Sequence, residues 1–145
     1  MVVCGQWTTG DNEFGQLGDG TASFKSSFVL VISSGAEAIA TGYDHSMVLK
    51  QDGSVWATGR NTFGQLGNIY NGPINFWGTF VQVISSGVQG VAAGGWHSMI
   101  IKHDGSLWAT GANIYGQLGD GSTIDRSTYV RVLSPRDGAW FTVAL

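Results

Sequence analysis

Several residue types that mark particular protein classes are scarce in this sequence of 145 residues. The single cysteine, Cys4, has no partner for an internal disulfide or a cysteine-based metal site, which excludes a disulfide-stapled secreted scaffold. Two prolines and the lack of a G-X-Y period exclude collagen. Charged residues make up only 12% of the chain, against roughly 25% in an average soluble domain. The 43% of hydrophobic residues nevertheless exclude a disordered chain.

Positive charge is also scarce, with seven Lys and Arg residues against ten Asp and Glu residues and a net charge of −3. Because this sign is wrong for neutralising a phosphate backbone, we expect no direct binding of nucleic acid. The sequence has no long apolar run, and its start, Met1–Trp7, lacks the basic region of a signal peptide. We therefore expect no membrane span and a cytoplasmic or nuclear location.

Glycine, by contrast, is abundant, with 23 residues, and much of it belongs to an internal repeat. The segment His45–Gly59 returns as His97–Gly111, 52 residues later, with 11 of 15 positions identical. A second signature, G-x-N-x-[FY]-G-Q-L-G, occurs three times, at Gly10–Gly18, Gly59–Gly67 and Gly111–Gly119, each shortly after a tryptophan (Trp7, Trp56 and Trp108). A period of about 50 residues predicts a repeat architecture.

Each unit has the pattern of four short strands. In the run His45–Lys50 alternate residues point to opposite faces, and Asp52-Gly53 separates it from the run Val55–Thr58. This predicts a β-hairpin with a type I′ turn, in which glycine tolerates a positive φ. Upstream, Phe28–Ile32 and Ala36–Ala40 add two further strands. No sustained helical periodicity is present, so we expect few helices.

Four antiparallel strands per unit of about 50 residues predict an all-β fold, a β-propeller with about two complete blades plus terminal strands in a partial ring. A β-sandwich would not explain the repeated identities. The approximate units are 1–26 (a partial blade), 27–78, 79–127 and 128–145 (a partial blade). Residues 139–145 fit either the second or the third strand of the last blade.

The glycine signature, preceded by H-S-x-x-x-K-x-D-G-S-x-W-A-T-G, resembles the repeat of the regulator of chromosome condensation family. WD-repeat propellers have a shorter period and a Trp-Asp dipeptide, which this chain lacks. Kelch repeats have a diglycine in every blade, whereas Gly94-Gly95 does not recur in the other unit of this chain. Both families are therefore less favoured. The resemblance implies a ring of seven blades, of which this chain has about three. It therefore implies either a fragment of a longer propeller or a homodimer that closes a ring.

We interpret the repeated polar and glycine positions as structural. His45 and His97 recur in phase, and we expect each to hydrogen-bond a neighbouring backbone group rather than to act as a catalytic or metal-binding residue. No Walker lysine follows the repeated glycines, so tight loops between blades are favoured over a phosphate cradle. These glycines are Gly15, Gly18, Gly64, Gly67, Gly116 and Gly119. We expect the motif asparagines (Asn12, Asn61 and Asn113) to hold these loops through Asx-type bonds, and we expect no cofactor.

The repeat tryptophans, Trp7, Trp56 and Trp108, are predicted to pack between blades. The resemblance includes the plant UV-B photoreceptor, whose chromophore tryptophans lie in a G-W-R-H-[ST] motif. The corresponding stretches here are Gly42-Tyr43-Asp44-His45-Ser46 and Gly94-Gly95-Trp96-His97-Ser98. Because neither has the Trp-Arg pair, photoreception is not expected.

The founding member of the family is a guanine nucleotide exchange factor that uses one face of a complete ring and a protruding β-wedge, and no insertion here is long enough for that wedge. We therefore predict a module with no enzymatic activity that binds a protein partner through its variable loops, with exchange or its regulation on a small GTPase as the alternative. The candidate binding residues are Phe24, Lys25, Tyr70, Phe76, Trp77, Asp125 and Arg126.

Overall fold

The computed structural model of the chain describes residues 5–68 and 76–134. Within these ranges the chain forms ten β-strands and no helix, which confirms the expected scarcity of helix. The strands are β1 (Gln6–Gly10), β2 (Lys25–Ile32), β3 (Ala36–Thr41), β4 (His45–Lys50), β5 (Val55–Arg60), β6 (Phe76–Ile84), β7 (Val88–Ala93), β8 (His97–Lys102), β9 (Leu107–Gly111) and β10 (Arg126–Leu133).

The described strands form three antiparallel sheets. Sheet I contains β1 and β2, sheet II has the order β3-β4-β5-β6, and sheet III has the order β7-β8-β9-β10. Strand β7 contacts both β3 and β4, so sheets II and III approach each other at their first strands. Four-stranded antiparallel sheets that follow one another along the chain and pack side by side are adjacent propeller blades. The prediction of an all-β propeller with two complete blades is confirmed.

The strands are grouped differently from the expected grouping. The sequence units place Phe28–Ile32 and Ala36–Ala40 in one blade, but this is wrong, because β2 pairs with β1 in sheet I and β3 pairs with β4 in sheet II. The short connection at residues 33–35 carries the chain from one sheet to the next instead of closing a hairpin. Each complete sheet is therefore offset by one strand from the sequence units 27–78 and 79–127.

The hairpin between β4 and β5 is present, but its turn is not of type I′. A type I′ turn needs positive φ at both central residues, and within the described residues only glycines have positive φ. The Gly53 N–H donates to the Lys50 carbonyl, the Lys50 N–H donates to the Ser54 carbonyl, and Gly53 has a φ of 76°. This is a three-residue loop that ends in a left-handed glycine, and Gly105 repeats it between β8 and β9.

The hydrophobic core lies between sheets. The larger cluster joins Met47, Leu49 and Val55 of sheet II to Val88 and Ile100 of sheet III, and all five side chains are buried. A second cluster lies on the other face of sheet III and contains Met99, Leu107, Ala109 and Leu118. Neighbouring residues of β8 thus face different clusters, as the alternation of side chains along a strand requires.

The loops fall at two edges of the sheets. The lower edge contains the connections at residues 33–35, 51–54, 85–87 and 103–106. The upper edge contains the connections that follow β1, β3, β5, β7 and β9, at residues 11–24, 42–44, 61–68, 94–96 and 112–125. Successive sheets are joined at both edges, since the Tyr43 N–H donates to the Gly95 carbonyl and the Val88 N–H donates to the Gly53 carbonyl. The variable loops and the glycine signature therefore share the upper edge.

Candidate functional site

Each copy of the glycine signature forms a compact loop around its asparagine. The Asn113 Oδ1 accepts a hydrogen bond from the Leu118 N–H at 3.0 Å, and its Nδ2 donates to Asp120 Oδ1 and to the carbonyls of Ser122 and Ile124, each at 3.1 Å. Hydrogen bonds from Ser122 and Arg126 hold the pKa of Asp120 well below its usual range. Asn12 makes the matching set of bonds in the first copy. The asparagines therefore hold the loops as predicted, but not through Asx-type bonds, because each Oδ1 accepts from the N–H five residues along the chain rather than two.

The loop of one sheet docks against the next sheet through a threonine. Thr110 Oγ1 lies 2.8 Å from the Gly64 carbonyl oxygen of the preceding loop and 2.7 Å from the Arg126 carbonyl oxygen of its own sheet. Thr58 makes the same two contacts one repeat earlier, at 2.9 Å to Gly15 and 2.7 Å to Trp77. The repeated threonine therefore fixes each loop to the following sheet.

The glycines of the signature allow this close approach. A Cβ atom at Gly64 would meet the backbone of Ser127, and one at Gly67 would meet the ring of Tyr129, both in sheet III. Gly15 and Gly18 stand in the same way against Gly78 and Phe80 of sheet II. The last copy differs, since no described atom lies within 4 Å of a Cβ at Gly119 and the nearest to Gly116 is at 3.9 Å.

The two repeat histidines are buried, and one of them joins two sheets. His45 Nε2 lies 2.9 Å from Ser98 Oγ, which donates to the Gln65 carbonyl at 2.7 Å. The expectation of a backbone partner is therefore wrong for His45, because the serine hydroxyl stands between the ring and the backbone. Burial, with a smaller contribution from His97, lowers the pKa of His45 to about 4, so the ring is neutral and donates its Nε2–H. Burial also lowers the pKa of His97, whose Nε2 has no hydrogen-bond partner within the described residues.

An aromatic cluster, Tyr43, Phe63 and Trp96, lies at the upper edge, where sheets II and III meet. The rings of Tyr43 and Trp96 are perpendicular, with their centroids 5.6 Å apart, and the Phe63 centroid lies 5.7 Å from that of Trp96. Tyr43 is 73% exposed and Trp96 is 41% exposed. Gly95 makes room for this pair, since a Cβ there would lie 2.8 Å from the Tyr43 ring. The cluster therefore presents aromatic surface to solvent on a fixed framework.

A polar chain continues the cluster along the upper edge toward sheet I. The Arg60 guanidinium lies 3.3 Å from Asp44 Oδ2 and 4.8 Å from the centroid of the Phe14 ring. Asp44 follows Tyr43 directly in the sequence, so the end of β5 connects the loops after β1 and β3 through side chains. Within the described residues, no group of three or more His, Cys, Asp or Glu side chains could hold a metal ion.

The repeat matches a known family over most of the chain. A profile described as "Regulator of chromosome condensation (RCC1) repeat" matches residues 52–101 and 104–145, and a second profile with the same description matches residues 36–65 and 88–117. The chain belongs to the RCC1 repeat family. The predicted resemblance is thus confirmed.

Individual relatives of this RCC1 repeat chain are longer than the chain. It is 33% identical over 144 residues to the RCC2 homolog of Danio rerio, an alignment that covers 93% of this chain and 29% of that protein. Yeast RCC1 (Prp20) in its complex with Kap60 superposes with a TM-score of 0.76 at 21% identity, over 88% of this chain and 32% of the other. Prp20p from Saccharomyces cerevisiae superposes with a TM-score of 0.72 at 24% identity, and the match covers 88% of this chain and 33% of the other. The chain thus spans about a third of these relatives, and the fold is a partial β-propeller.

The tryptophans of the RCC1 repeat have different environments. The Trp108 indole N–H donates to Ser106 Oγ at 2.8 Å, Lys102 lies over its ring, and the ring packs against the larger core cluster. Trp56 has the corresponding serine and lysine contacts. Trp7 is 57% exposed. Packing between two sheets is therefore seen for Trp108.

Several of the predicted binding residues stabilise the RCC1 repeat loops. Lys25 forms an ion pair with Asp19 at 3.1 Å, and Arg126 forms one with Asp120 at 2.7 Å. Asp125 accepts a hydrogen bond from the Asn113 N–H at 2.7 Å. The two ion pairs hold each loop to the strand that follows it, and the Asp125 bond lies within its loop, so the three side chains stabilise the loops.

The predicted aromatic anchors are also divided. Phe24 is 74% exposed at the upper edge, and Phe76 is 38% exposed at the start of β6. Trp77 follows in β6 and packs against the larger core cluster. Tyr70 lies outside the described residues. The structure therefore leaves Phe24 and Phe76 as exposed candidates and places Trp77 against the core.

The repeat pattern alone does not predict the cluster of Tyr43, Phe63 and Trp96. Tyr43 aligns with Gly95 in the repeat, and Trp96 aligns with Asp44, so neither aromatic residue recurs at its own position. The signal that could have indicated the contact between Tyr43 and Trp96 is a large residue in one unit aligned with a glycine in the next, as Tyr43 is with Gly95.

Proposed function

We propose that this chain is part of a noncatalytic β-propeller module that binds another protein through the loops of its upper edge. The observation that carries the proposal is the exposed cluster of Tyr43, Phe63 and Trp96, which takes rings from two sheets. Exposed aromatic groups on a rigid framework are typical anchors of protein interfaces. The hydrogen-bonded loops beside them supply that framework.

The related proteins offer further support. Yeast RCC1 (Prp20) is described as bound to Kap60, and Prp20p is described with binding properties to Gsp1p and histones. Their sequences are less than 25% identical to this chain, which covers about a third of each, so these partners are not assigned here. They support the binding of proteins as the use of the fold.

The test uses a photo-crosslinking amino acid in place of Tyr43 at the upper edge, with Glu37 of β3 as the matched exposed position away from that edge. We expect discrete protein adducts from position 43 that are lost when Trp96→Ala is added, and none from position 37. Equal adducts from both positions, or adducts that persist in Trp96→Ala, would contradict the proposal. Trp77, one of the candidate binding residues, is unsuited as a test position because it packs against the core.

The alternative function, nucleotide exchange on a small GTPase, depends on the family resemblance alone. It predicts that the chain accelerates the release of a fluorescent nucleotide from a small GTPase. An unchanged rate of release across a panel of such GTPases would remove it.

A further inference from the structure

The negative charge of the chain is concentrated at the upper edge. The loops there and the strand residues that adjoin them contain six carboxylates and three cations, which are Asp11, Glu13, Asp19, Asp44, Asp120, Asp125, Lys25, Arg60 and Arg126. The other described charges balance, with Glu37, Asp52 and Asp104 against Lys50, Lys102 and Arg131. Arg136 and Asp137, outside the described residues, also balance in number. The net charge of −3 therefore belongs to the upper edge.

The three cations of the upper edge are already neutralised. Lys25, Arg60 and Arg126 lie 3.1, 3.3 and 2.7 Å from the carboxylates of Asp19, Asp44 and Asp120, respectively. Within the described residues, the remaining carboxylates, Asp11, Glu13 and Asp125, form no ion pair, and all three are exposed. A positively charged partner would meet a net attraction at this edge, whereas an acidic partner would be repelled.

The aromatic cluster offers a site for such a positive charge. The face of an indole attracts an ammonium or guanidinium group, and the chain already uses this contact elsewhere. Lys50 Nζ lies 4.1 Å from the ring centroid of Trp56, and Lys102 Nζ lies 4.0 Å from that of Trp108. No Lys or Arg in residues 5–68 and 76–134 lies over the ring of Trp96.

We propose that the cluster of Tyr43, Phe63 and Trp96 binds a lysine or arginine side chain from a basic segment of a partner protein. The cation lies against the exposed indole, its aliphatic stem packs on the neighbouring rings, and the carboxylates that form no ion pair attract the rest of the segment. This inference rests on the proposed function, because it specifies the chemistry of the partner bound at the same edge.

The experiment measures the binding of fluorescein-labelled peptides to the whole chain by fluorescence anisotropy. The probes are a peptide of alternating Lys and Gly, its Arg counterpart, and a Glu counterpart of the same length. We expect the two basic peptides to bind, the acidic one not to bind, and the affinity to fall with rising salt because charge attraction is screened.

Variants locate the bound cation. Trp96→Ala and Phe63→Ala should each raise the Kd for the basic peptides about three- to thirtyfold, the range of a cation–π contact. Trp96→Phe keeps a ring and should restore most of the affinity, which separates binding from folding. The matched control is Tyr115→Ala, at the same position of the repeat as Phe63 but with an 87% exposed side chain, and it should leave the Kd unchanged.

A second pair of variants tests the charges. The double variant Asp11→Asn and Glu13→Gln should weaken the basic peptides and reduce their dependence on salt, whereas Glu37→Gln should do neither. Equal binding of basic and acidic peptides, or Trp96→Ala binding as tightly as the wild type, would overturn the inference. Crosslinking from position 43 to a protein without a basic segment would do the same while leaving the proposed function intact. The absence of adducts from position 43 in the chain that keeps Trp96 would contradict the proposed function itself.

Discussion

Replacing Ser98 by alanine tests the joint between sheets II and III. The Ser98 hydroxyl accepts a hydrogen bond from His45 Nε2 at 2.9 Å and donates one to the Gln65 carbonyl at 2.7 Å. All three residues are buried, with exposures of 0% for Ser98, 1% for His45 and 0% for Gln65. The substitution removes one hydroxyl and leaves a donor and an acceptor unpaired inside the protein.

The expected loss follows from those two groups. An unsatisfied buried donor or acceptor costs about 1–3 kcal/mol, so the two groups that Ser98→Ala leaves unpaired should lower the free energy of unfolding by about 2–6 kcal/mol. For a chain of this length, each kcal/mol corresponds to about 3 °C in Tm, which gives a decrease of about 6–18 °C. Differential scanning calorimetry and urea unfolding measure both quantities.

Ser46 provides the matched control. It occupies the same repeat position in sheet II and is also buried, but its hydroxyl has no hydrogen-bond partner within the described residues. Ser46→Ala should therefore change the free energy of unfolding by less than about 1 kcal/mol. Equal losses in the two variants, or a Ser98→Ala protein as stable as the wild type, would refute the assignment of this bridge as a joint between sheets.

Three further predictions concern the repeat. Gly67→Ala should lower the free energy of unfolding by about 3 kcal/mol or more, because an alanine with this positive φ is strained and its Cβ would enter the Tyr129 ring. Gly119→Ala, at nearly the same φ but with open space around it, should cost only about 1–2 kcal/mol. Equal costs in the two variants would contradict this reasoning. The pKa of His45 is about 4 in the folded chain and 6.5 in the unfolded one, so the unfolded state binds a proton first as the pH falls. The free energy of unfolding should therefore decrease by about 3 kcal/mol between pH 6.5 and pH 4. Urea titrations at the two pH values should show a smaller decrease for His45→Gln. Asn113→Ala should lower the free energy of unfolding by about 2 kcal/mol or more and speed proteolysis of its loop, and an unchanged cleavage rate would argue against that role.

The strands themselves were predictable from the sequence, but the partner of one strand was not. The alternation of side chains in His45–Lys50 and in its copy at residues 97–102 predicts two strands, and this prediction does not depend on which strands they pair with. The strand that pairs with Phe28–Ile32 depends on the conformation of residues 33–35. A connection of three residues can either close a hairpin or carry the chain to the next sheet. Hydrogen bonding with β1 decides this, and it is a tertiary property.

The candidate site was less predictable than the fold. Phe24 was predicted to bind a partner because its loop departs from the repeat, and its side chain is exposed. Trp77 was expected to be an anchor for the same reason, yet it lies in a strand and packs against the core. Tyr43 and Trp96 come together only because sheets II and III converge, so a single unit of sequence does not contain both members of the pair.

The offset between sheets and sequence units determines where the chain can be shortened. A polypeptide cut at the unit boundaries 27 and 78 would keep β2 without β1 and would lose most of β6 from the side of β5. Both cuts would expose unpaired strand edges, which invite aggregation. A cut at residues 36 and 84 would instead keep sheet II whole, with each of its strands paired as in the intact chain. Each sequence unit therefore encodes three strands of one blade, and most of the fourth strand is encoded at the start of the next unit. A tandem copy of the unit would complete its blade only with a strand from the unit that follows.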